Sequence, residues 1–149
     1  MIGLLVSLFK LFLSGVLGGL IGYEREKEDK PAGLRTVMLV AVGATAFSIA
    51  SIELGHMTEM ADPGRVASYV VAGIGFLGAG AIIRGQGSIH GLTTAAAIWA
   101  TAAVGVLIGI GMIIEAIFLT GMVYYILRYL PSVLNQNKQY NNGDNHEND

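Results

Sequence analysis

The sequence contains no cysteine and carries little charge. Without cysteine there is neither a disulfide framework nor a thiolate metal site, and thiol catalysis is excluded. Only 13% of the residues are charged, whereas 53% are hydrophobic and the mean hydropathy is +0.59. These values lie outside the range of soluble domains, and no basic run is present that would bind nucleic acid. The composition predicts an integral membrane protein whose first partner is the lipid bilayer.

Long apolar stretches alternate with short polar or glycine-marked breaks. A transmembrane helix needs about 20 mostly apolar residues, and we predict spans at 2–23, 36–54, 66–83, 92–109 and 112–130. The run 92–127 is too long for one span at about 1.5 Å per residue, so we predict a break at Gly109-Ile110-Gly111. The expected fold is an all-α bundle of five transmembrane helices over residues 1–130, followed by a disordered polar tail, 131–149.

The distribution of Lys and Arg predicts the orientation of the bundle. The first charge, Lys10, lies well inside the first apolar stretch, so we interpret this stretch as a retained helix and not as a signal peptide. Four basic residues lie in the first connection, Arg84 lies in the third, and Arg128 and Lys138 lie at the C-terminal end, whereas the second connection carries only Arg65. Because cytoplasmic loops are enriched in Lys and Arg, we expect the N-terminus outside and the C-terminus in the cytoplasm.

Glycine is frequent in the first and third predicted helices. Small residues let helix backbones approach closely in lipid, and we expect this packing role for Gly18, Gly22, Gly73, Gly75, Gly78 and Gly80. The same pattern predicts a close hairpin of the third and fourth helices and a homodimer. The stretch Gly73-Ile74-Gly75-Phe76-Leu77-Gly78 also matches the GxGxxG dinucleotide fingerprint. That interpretation is rejected, because the fingerprint works only between a strand and a helix.

Two charges fall within apolar stretches, and an ionisable residue inside a membrane is a functional hypothesis by default. One interpretation pairs Lys10 with Glu115 across the first and fifth helices. The other, slightly favoured, extends Lys10 to the membrane surface and places Glu115 at the interface.

Several ordered motifs resemble the membrane domain of the MgtC/SapB family, over about 15–111. They are Gly19-Leu-Ile-Gly-Tyr-Glu-Arg25, Ala32-Gly-Leu-Arg-Thr36, Gly64-Arg65, Gly73-Ile-Gly-Phe-Leu-Gly-Ala-Gly80, and His90-Gly-Leu-Thr-Thr-Ala95 with Trp99. The resemblance implies a bacterial inner-membrane protein of five spans that serves growth under magnesium limitation and, in pathogens, virulence. It implies no known catalysis. Many members carry a C-terminal ACT-like domain, and we expect this chain to be a short member lacking it.

The family motifs mark the predicted cytoplasmic helix ends, where they would form one polar cluster. The expected members of this cluster are Glu24, Arg25, Arg35, Thr36, Arg84, Thr93 and Thr94, with Asp62, Arg65 and Trp99 as further motif positions. Thr93 departs from some relatives, which have asparagine there. Three interpretations stay open: an anion or phosphoryl pocket, a salt-bridge lock between helices, and simple anchoring at the membrane boundary.

Two classes of function follow from these observations. The favoured one is a regulator that binds another membrane protein, which the resemblance implies to be a partner such as the F-type ATP synthase or a cation-transporting ATPase. The alternative is a transporter or channel for Mg²⁺ or another small ion. Magnesium needs several oxygen ligands, for which Glu24 and Asp62 are weak candidates, while Glu53, Glu59 and Glu115 lie toward the predicted outer face. We expect no cofactor and no enzyme, and we interpret His146 as a solvated tail residue.

Overall fold

The protein folds as a helical bundle with one short β-ribbon. The computed structural model describes residues 2–57, 62–85 and 88–143. Its elements are α1 (Ile2–Lys27), α2 (Leu34–Met57), α3 (Pro63–Gly80), β1 (Ile83–Gly85), β2 (Ser88–His90), α4 (Leu92–Ile110) and α5 (Ile113–Gly143). The prediction of a helical bundle with five helices is confirmed, and α1 to α4 begin and end within four residues of their predicted spans. Glu59 and His146 lie outside the described residues.

Four helices of the described chain are long and apolar enough to cross a membrane. They are α1, α2, α4 and the part of α5 that ends at Leu130. The apolar part of α3, Ala67–Gly80, is shorter. At about 1.5 Å per residue it extends about 21 Å, less than the roughly 30 Å of a hydrocarbon core. A full crossing by α3 and the orientation of the termini therefore stay predictions.

Large apolar side chains cover the outside of the bundle. Phe12 is 71% exposed, and Phe76 and Ile114 are each 81% exposed. A soluble monomer rarely exposes apolar surface on this scale, whereas lipid tails contact it without penalty. The surface therefore fits a membrane protein.

The core lies where α1, α2 and α4 meet. A Cβ atom at Gly18 would lie 2.7 Å from the Cβ of Ala41, and one at Gly22 would lie 2.8 Å from the Cα of Leu34. Both distances are shorter than side chains tolerate, so these glycines allow α1 to contact the backbone of α2. The same contact on the other side of α2 is made by Gly105 of α4, where a Cβ would lie 2.8 Å from the Cβ of Ala44.

The glycines of α3 behave differently from those of α1. Gly78 is buried, and a Cβ there would make an ordinary contact of 3.6 Å with Ala95 of α4. Nothing lies within 4 Å of a Cβ at Gly73, Gly75 or Gly80. The expectation that these three glycines pack against helices does not hold within this chain, because α3 lies at the edge of the bundle and only part of its surface is covered.

The predicted break between the last two helices is confirmed. α4 ends at Ile110, and Gly111 adopts a left-handed conformation with φ of 96°. The N–H of Gly111 donates to the carbonyl of Ile108 at 3.1 Å, and that of Met112 donates to Leu107 at 2.8 Å. This pair of bonds closes a helix at a glycine, so α4 and α5 are antiparallel neighbours.

The third connection contains a β-ribbon that the sequence does not predict. β1 and β2 pair antiparallel, with Ile83 opposite His90, Arg84 opposite Ile89 and Gly85 opposite Ser88. Gly91 follows with φ of 86°, and a side chain there would collide with the carbonyl oxygen of Ala81. The ribbon satisfies backbone groups that an irregular turn would leave to water.

α5 continues as a helix beyond its predicted end at Leu130, through Pro131 to Gly143. Residues 131–143, which the sequence assigns to a disordered tail, thus form helical backbone in the structure. Residues 144–149 lie outside the described part of the chain. The disorder of the tail stays a prediction.

Candidate functional site

The buried polar residues of the first family motif lie at the end of α1. Arg25 is only 4% exposed, and its Nη2 donates to Oγ1 of Thr94, itself 2% exposed, at 2.9 Å. Thr94 lies in the first turn of α4, so the bond joins the C-terminal end of one helix to the N-terminal end of another. A cation is favoured at a helix C-terminus, because unsatisfied carbonyl groups there carry partial negative charge. We call Glu24, Arg25 and Thr94 the buried polar cluster.

Two atoms of this cluster have no hydrogen-bond partner. Glu24 is 2% exposed, and its Oε2 is unpartnered, as is Nε of Arg25. An unsatisfied buried polar atom costs about 1–3 kcal/mol, and more when it is charged. A water molecule or a polar group of a ligand would therefore be stabilised here.

The other predicted members of the polar cluster lie on the surface. Arg35, Thr36, Arg84 and Thr93 are all exposed. Arg35 and Thr36 begin α2, Arg84 lies in β1, and Thr93 precedes the buried Thr94. The structure thus places all seven residues at the ends of elements that meet on one side of the bundle, but it buries only three of them.

The further motif positions have separate environments. Oδ1 of Asp62 accepts from the N–H of Gly64 at 2.8 Å and caps α3. Arg65 is exposed in the first turn of that helix, and Trp99 is 53% exposed on α4. Because α2 is antiparallel to α1 and leads into α3, Asp62 lies at the opposite end of the bundle from Glu24.

The described residues do not fit a magnesium site within one chain. No group of three or more His, Asp or Glu side chains comes together in the described part of the chain. Magnesium requires near-octahedral oxygen coordination, usually with one or two carboxylates. Glu24 has the adjacent Arg25 cation instead of a second carboxylate, and Asp62 is engaged by a backbone N–H. The structure therefore supports neither weak candidate as part of a preformed site.

Lys10 contacts a helix terminus and not Glu115. Its Nζ donates to the carbonyl oxygen of Gly109 at 2.8 Å, near the C-terminal end of α4. Glu115 is exposed in the first turn of α5, where a carboxylate is favoured by the helix dipole. The proposed Lys10–Glu115 pair is not formed, because the carbonyl groups at the end of α4 offer Lys10 a nearer partner.

An ion pair that the sequence does not predict joins α1 to α5. Nη1 of Arg128 lies 2.6 Å from Oε1 of Glu28, and both side chains are partly exposed. Arg128 is singled out in the sequence only as one of the basic residues that predict orientation. Its pairing with Glu28 depends on the rotation of two helices about their axes, which spacing along the chain does not define.

Hydroxyl groups inside the bundle bond to the helix backbone. Oγ1 of Thr45 donates to Ala41 at 3.0 Å and also lies 2.8 Å from the carbonyl of Gly105. Four further buried hydroxyl groups each donate to a carbonyl three or four residues earlier in their own helix, at Ser14, Ser48, Thr101 and Thr120. The protons of these hydroxyl groups are thus bound within the protein, while each oxygen keeps its lone pairs.

An apolar groove of about 530 Å³ runs between α2 and α3. Its α2 wall extends from Thr36 to Phe47, and its α3 wall includes Tyr69, Gly73 and Leu77. A smaller hollow of about 260 Å³ shares Thr36 and Leu77 with the groove and extends it toward the connection of α1 and α2. We call the first of these the α2–α3 groove.

Comparison with known proteins gives one consistent result. The sequence profile of the MgtC family matches residues 11–136. A protein named Protein MgtC from Brucella abortus (strain 2308) is 47% identical over 122 residues, which cover 80% of this chain and 50% of the relative. Protein MgtC of Salmonella typhimurium (strain LT2) is 44% identical over 113 residues, or 76% of this chain and 47% of the relative.

A Haemophilus influenzae protein described as uncharacterized is 40% identical over 136 residues, covering 87% of this chain and 57% of the relative. The chain spans about half the length of the curated relatives that it matches. No solved structure matches.

Proposed function

The chain belongs to the MgtC family, and on that premise we propose that it is a regulatory protein of the bacterial inner membrane that supports adaptation to low magnesium. It acts by binding another membrane protein. The apolar helices and their lipid-compatible surface support the membrane location. The concentration of basic residues in the first connection and at the C-terminal end supports an outside N-terminus.

The close packing of α1, α2 and α4 carries the choice between a regulator and a pore. An ion path through a bundle is lined by free oxygen atoms that replace water around the ion. Here the backbones of neighbouring helices are in contact, as at Gly18 of α1, where an added Cβ would lie 2.7 Å from the Cβ of Ala41 on α2. The centre formed by α1, α2 and α4 is closed further by glycine contacts such as that of Gly105 with α2.

The outward face of α3 is the proposed partner surface. Ser68, Ala72, Gly75 and Ala79 recur every three or four residues, so they form one stripe on the helix. All four are exposed in the chain. Helices associate in lipid through small residues that let backbones approach. We call this stripe the α3 small-residue face, and its occupant is a transmembrane helix, either of a partner such as the F-type ATP synthase or a cation-transporting ATPase, or of a second copy.

The buried polar cluster acts in this proposal as a lock between helices. The bond from Arg25 to Thr94 fixes the end of α1 to the start of α4, and α4 contacts α3 next to Gly78. A change at this bond is therefore transmitted to the helix that carries the partner face. In a pathogen, loss of this regulation would reduce virulence as well as growth at low magnesium.

Replacement of Gly75 by leucine tests the α3 small-residue face. Gly75→Leu adds a bulky side chain where nothing in the chain lies within 4 Å, so the protein folds but the partner helix no longer approaches. We expect a bacterium lacking its own MgtC-family gene to grow at low magnesium with the wild-type protein and to fail with the variant.

Gly121→Leu is the matched control, because Gly121 of α5 is also exposed and has nothing within 4 Å of an added Cβ. It should support growth fully. Equal growth with Gly75→Leu and Gly121→Leu, at equal protein levels in the membrane, would remove the α3 face from the proposal.

A further inference from the structure

The α2–α3 groove has the length of one leaflet of a bilayer. From Thr36 to Phe47 it follows eleven residue steps of α2, or about 16 Å at about 1.5 Å per residue. Half of a hydrocarbon core of about 30 Å is about 15 Å. Because Thr36 lies in the first turn of α2 next to the polar connection, the groove begins near the membrane surface and ends near the middle of the bilayer.

The groove is too small to enclose a helix. A helix with its side chains is about 10–12 Å wide, so a 16 Å length of helix occupies more than about 1,200 Å³. The groove holds about 530 Å³. Its volume and its length fit an extended hydrocarbon chain, which is much thinner than a helix.

Two glycines keep the groove open. Gly43 on α2 and Gly73 on α3 both line it, and a Cβ added at either position would meet nothing within 4 Å. The lining side chains include large apolar groups that remain exposed in the chain, with Leu39 at 71% and Phe47 at 60%. The groove is thus an unfilled apolar space that faces the bilayer.

Positive charge lies at the polar end of the groove. Arg35 precedes Thr36 and is exposed. The smaller hollow continues from Thr36 past Pro31 to Ala81, and Lys30 and Arg84 are close to those positions in the chain and are also exposed. Arginine provides planar paired donors suited to a phosphate group.

Three exposed carboxylates lie nearby, of which Glu26 and Glu28 are engaged with other groups and Asp29 is adjacent to Lys30. Oε2 of Glu26 accepts from the N–H of Leu34 at 2.7 Å. Oε1 of Glu28 is bound by Arg128. The exposed basic residues Lys27, Lys30, Arg35 and Arg84 outnumber these carboxylates, so the charge at this end of the groove is predominantly positive.

We propose that the α2–α3 groove binds one acyl chain of an anionic phospholipid, with the lipid phosphate at Arg35. The bound lipid fills the space between α2 and α3 and fixes α3, which lies at the edge of the bundle, against α2. The proposal does not rest on the regulatory function, because the groove faces the opposite side of α3 from the α3 small-residue face.

The test measures phospholipid retained by the purified full chain. The protein is extracted in detergent, washed free of bulk lipid and exposed to vesicles of phosphatidylglycerol or phosphatidylcholine, and bound lipid is counted by native mass spectrometry. We expect one phosphatidylglycerol per chain and weaker binding of phosphatidylcholine. Gly43→Leu fills the groove and should reduce occupancy about tenfold or more, as expected when several methylene groups are displaced.

Gly121→Leu is the matched control, because it adds the same side chain to open space on α5 and should retain the lipid. Gly73→Leu fills the groove from α3 and replaces Gly43→Leu if that variant does not fold. Arg35→Gln should abolish the preference for phosphatidylglycerol while binding of phosphatidylcholine persists.

Three results would overturn the proposal. One is equal lipid retention by folded Gly43→Leu and Gly73→Leu. Another is binding of detergent only, with no phospholipid selected. The third is loss of self-association in the groove variants without loss of lipid, which would make the groove a docking site for a helix. Lipid retention is read without any growth assay, so its failure is distinct from failure of the proposed regulatory function.

Discussion

At the scale of single residues, the hydrogen bond from Arg25 to Thr94 is the best-defined contact between two residues of the family motifs. Both side chains are almost fully buried, and the donor and acceptor lie 2.9 Å apart. Hydrogen bonds to charged groups stabilise proteins more than neutral ones do, because removal of one partner leaves a buried charge less satisfied. Thr93, the next residue along α4, is exposed and provides an internal comparison.

Replacement of Thr94 by valine should therefore destabilise the protein. Thr94→Val keeps the shape but removes the acceptor of Arg25, and we expect the free energy of unfolding to fall by about 1–3 kcal/mol. Thr93→Val should change it by less than about 0.5 kcal/mol, as is usual at exposed positions. Reversible unfolding by SDS in mixed micelles gives both values. A similar effect of the two substitutions would show that the buried bond does not stabilise the fold.

Sequence reasoning identifies the residues of the buried polar cluster but not their grouping. Glu24, Arg25 and Thr94 are selected because they belong to recognisable motifs at predicted helix ends. Arg35 and Arg84 are selected for the same reason, yet they lie on the surface. The difference depends on how far each helix is rotated about its axis, and an all-apolar helix in lipid has no polar face that would reveal this rotation.

At the scale of secondary-structure elements, close backbone contacts at glycines define how the helices pack. Gly105 lies in α4 where it meets α2, and a Cβ there would approach the Cβ of Ala44 to 2.8 Å and lie even closer to the Ala41 carbonyl oxygen. Backbone atoms of a neighbouring helix do not move aside as a flexible side chain does. This contact is thus less tolerant of added volume than the exposed glycines of α3 or α5.

Substitution by alanine should have opposite effects in the two environments. Gly105→Ala should lower the free energy of unfolding by about 1–3 kcal/mol, the usual cost of overpacking. Gly121→Ala, in open space on α5, should raise it by up to about 1 kcal/mol, because alanine favours helix. Thermal unfolding in detergent measures both changes. If Gly105→Ala proves as stable as Gly121→Ala, the close approach of α4 to α2 is incorrect.

The sequence predicts the secondary-structure elements better than it predicts the contacts between them. The length of the apolar runs and the paired glycines at 109 and 111 are sufficient to predict the helices and the break between α4 and α5. The β-ribbon is missed, because three-residue strands give no periodic signal. The partner of Lys10 is also missed: the sequence offers Glu115 as the obvious opposite charge, whereas a carbonyl group at the end of α4 has no signal in the sequence.

For the whole molecule, family membership and the closed bundle lead to the same account. The chain matches about half the length of its curated relatives, and the matched half consists of apolar helices with a buried polar cluster at one end. The interior hydroxyl groups donate to backbone carbonyls, and the open surfaces are the α3 small-residue face and the α2–α3 groove. These features support the proposed binding of a partner within the membrane.

A measurement of magnesium uptake into liposomes tests most directly the proposal that the protein is a regulator and not a transporter. The full chain is reconstituted at known density in liposomes that contain a magnesium-sensitive dye, alongside a Glu24→Gln variant of verified stability. We predict no uptake above that of empty liposomes for either protein. Saturable uptake by the wild-type chain that is lost in the Glu24→Gln variant would contradict the account and identify the protein as a magnesium transporter.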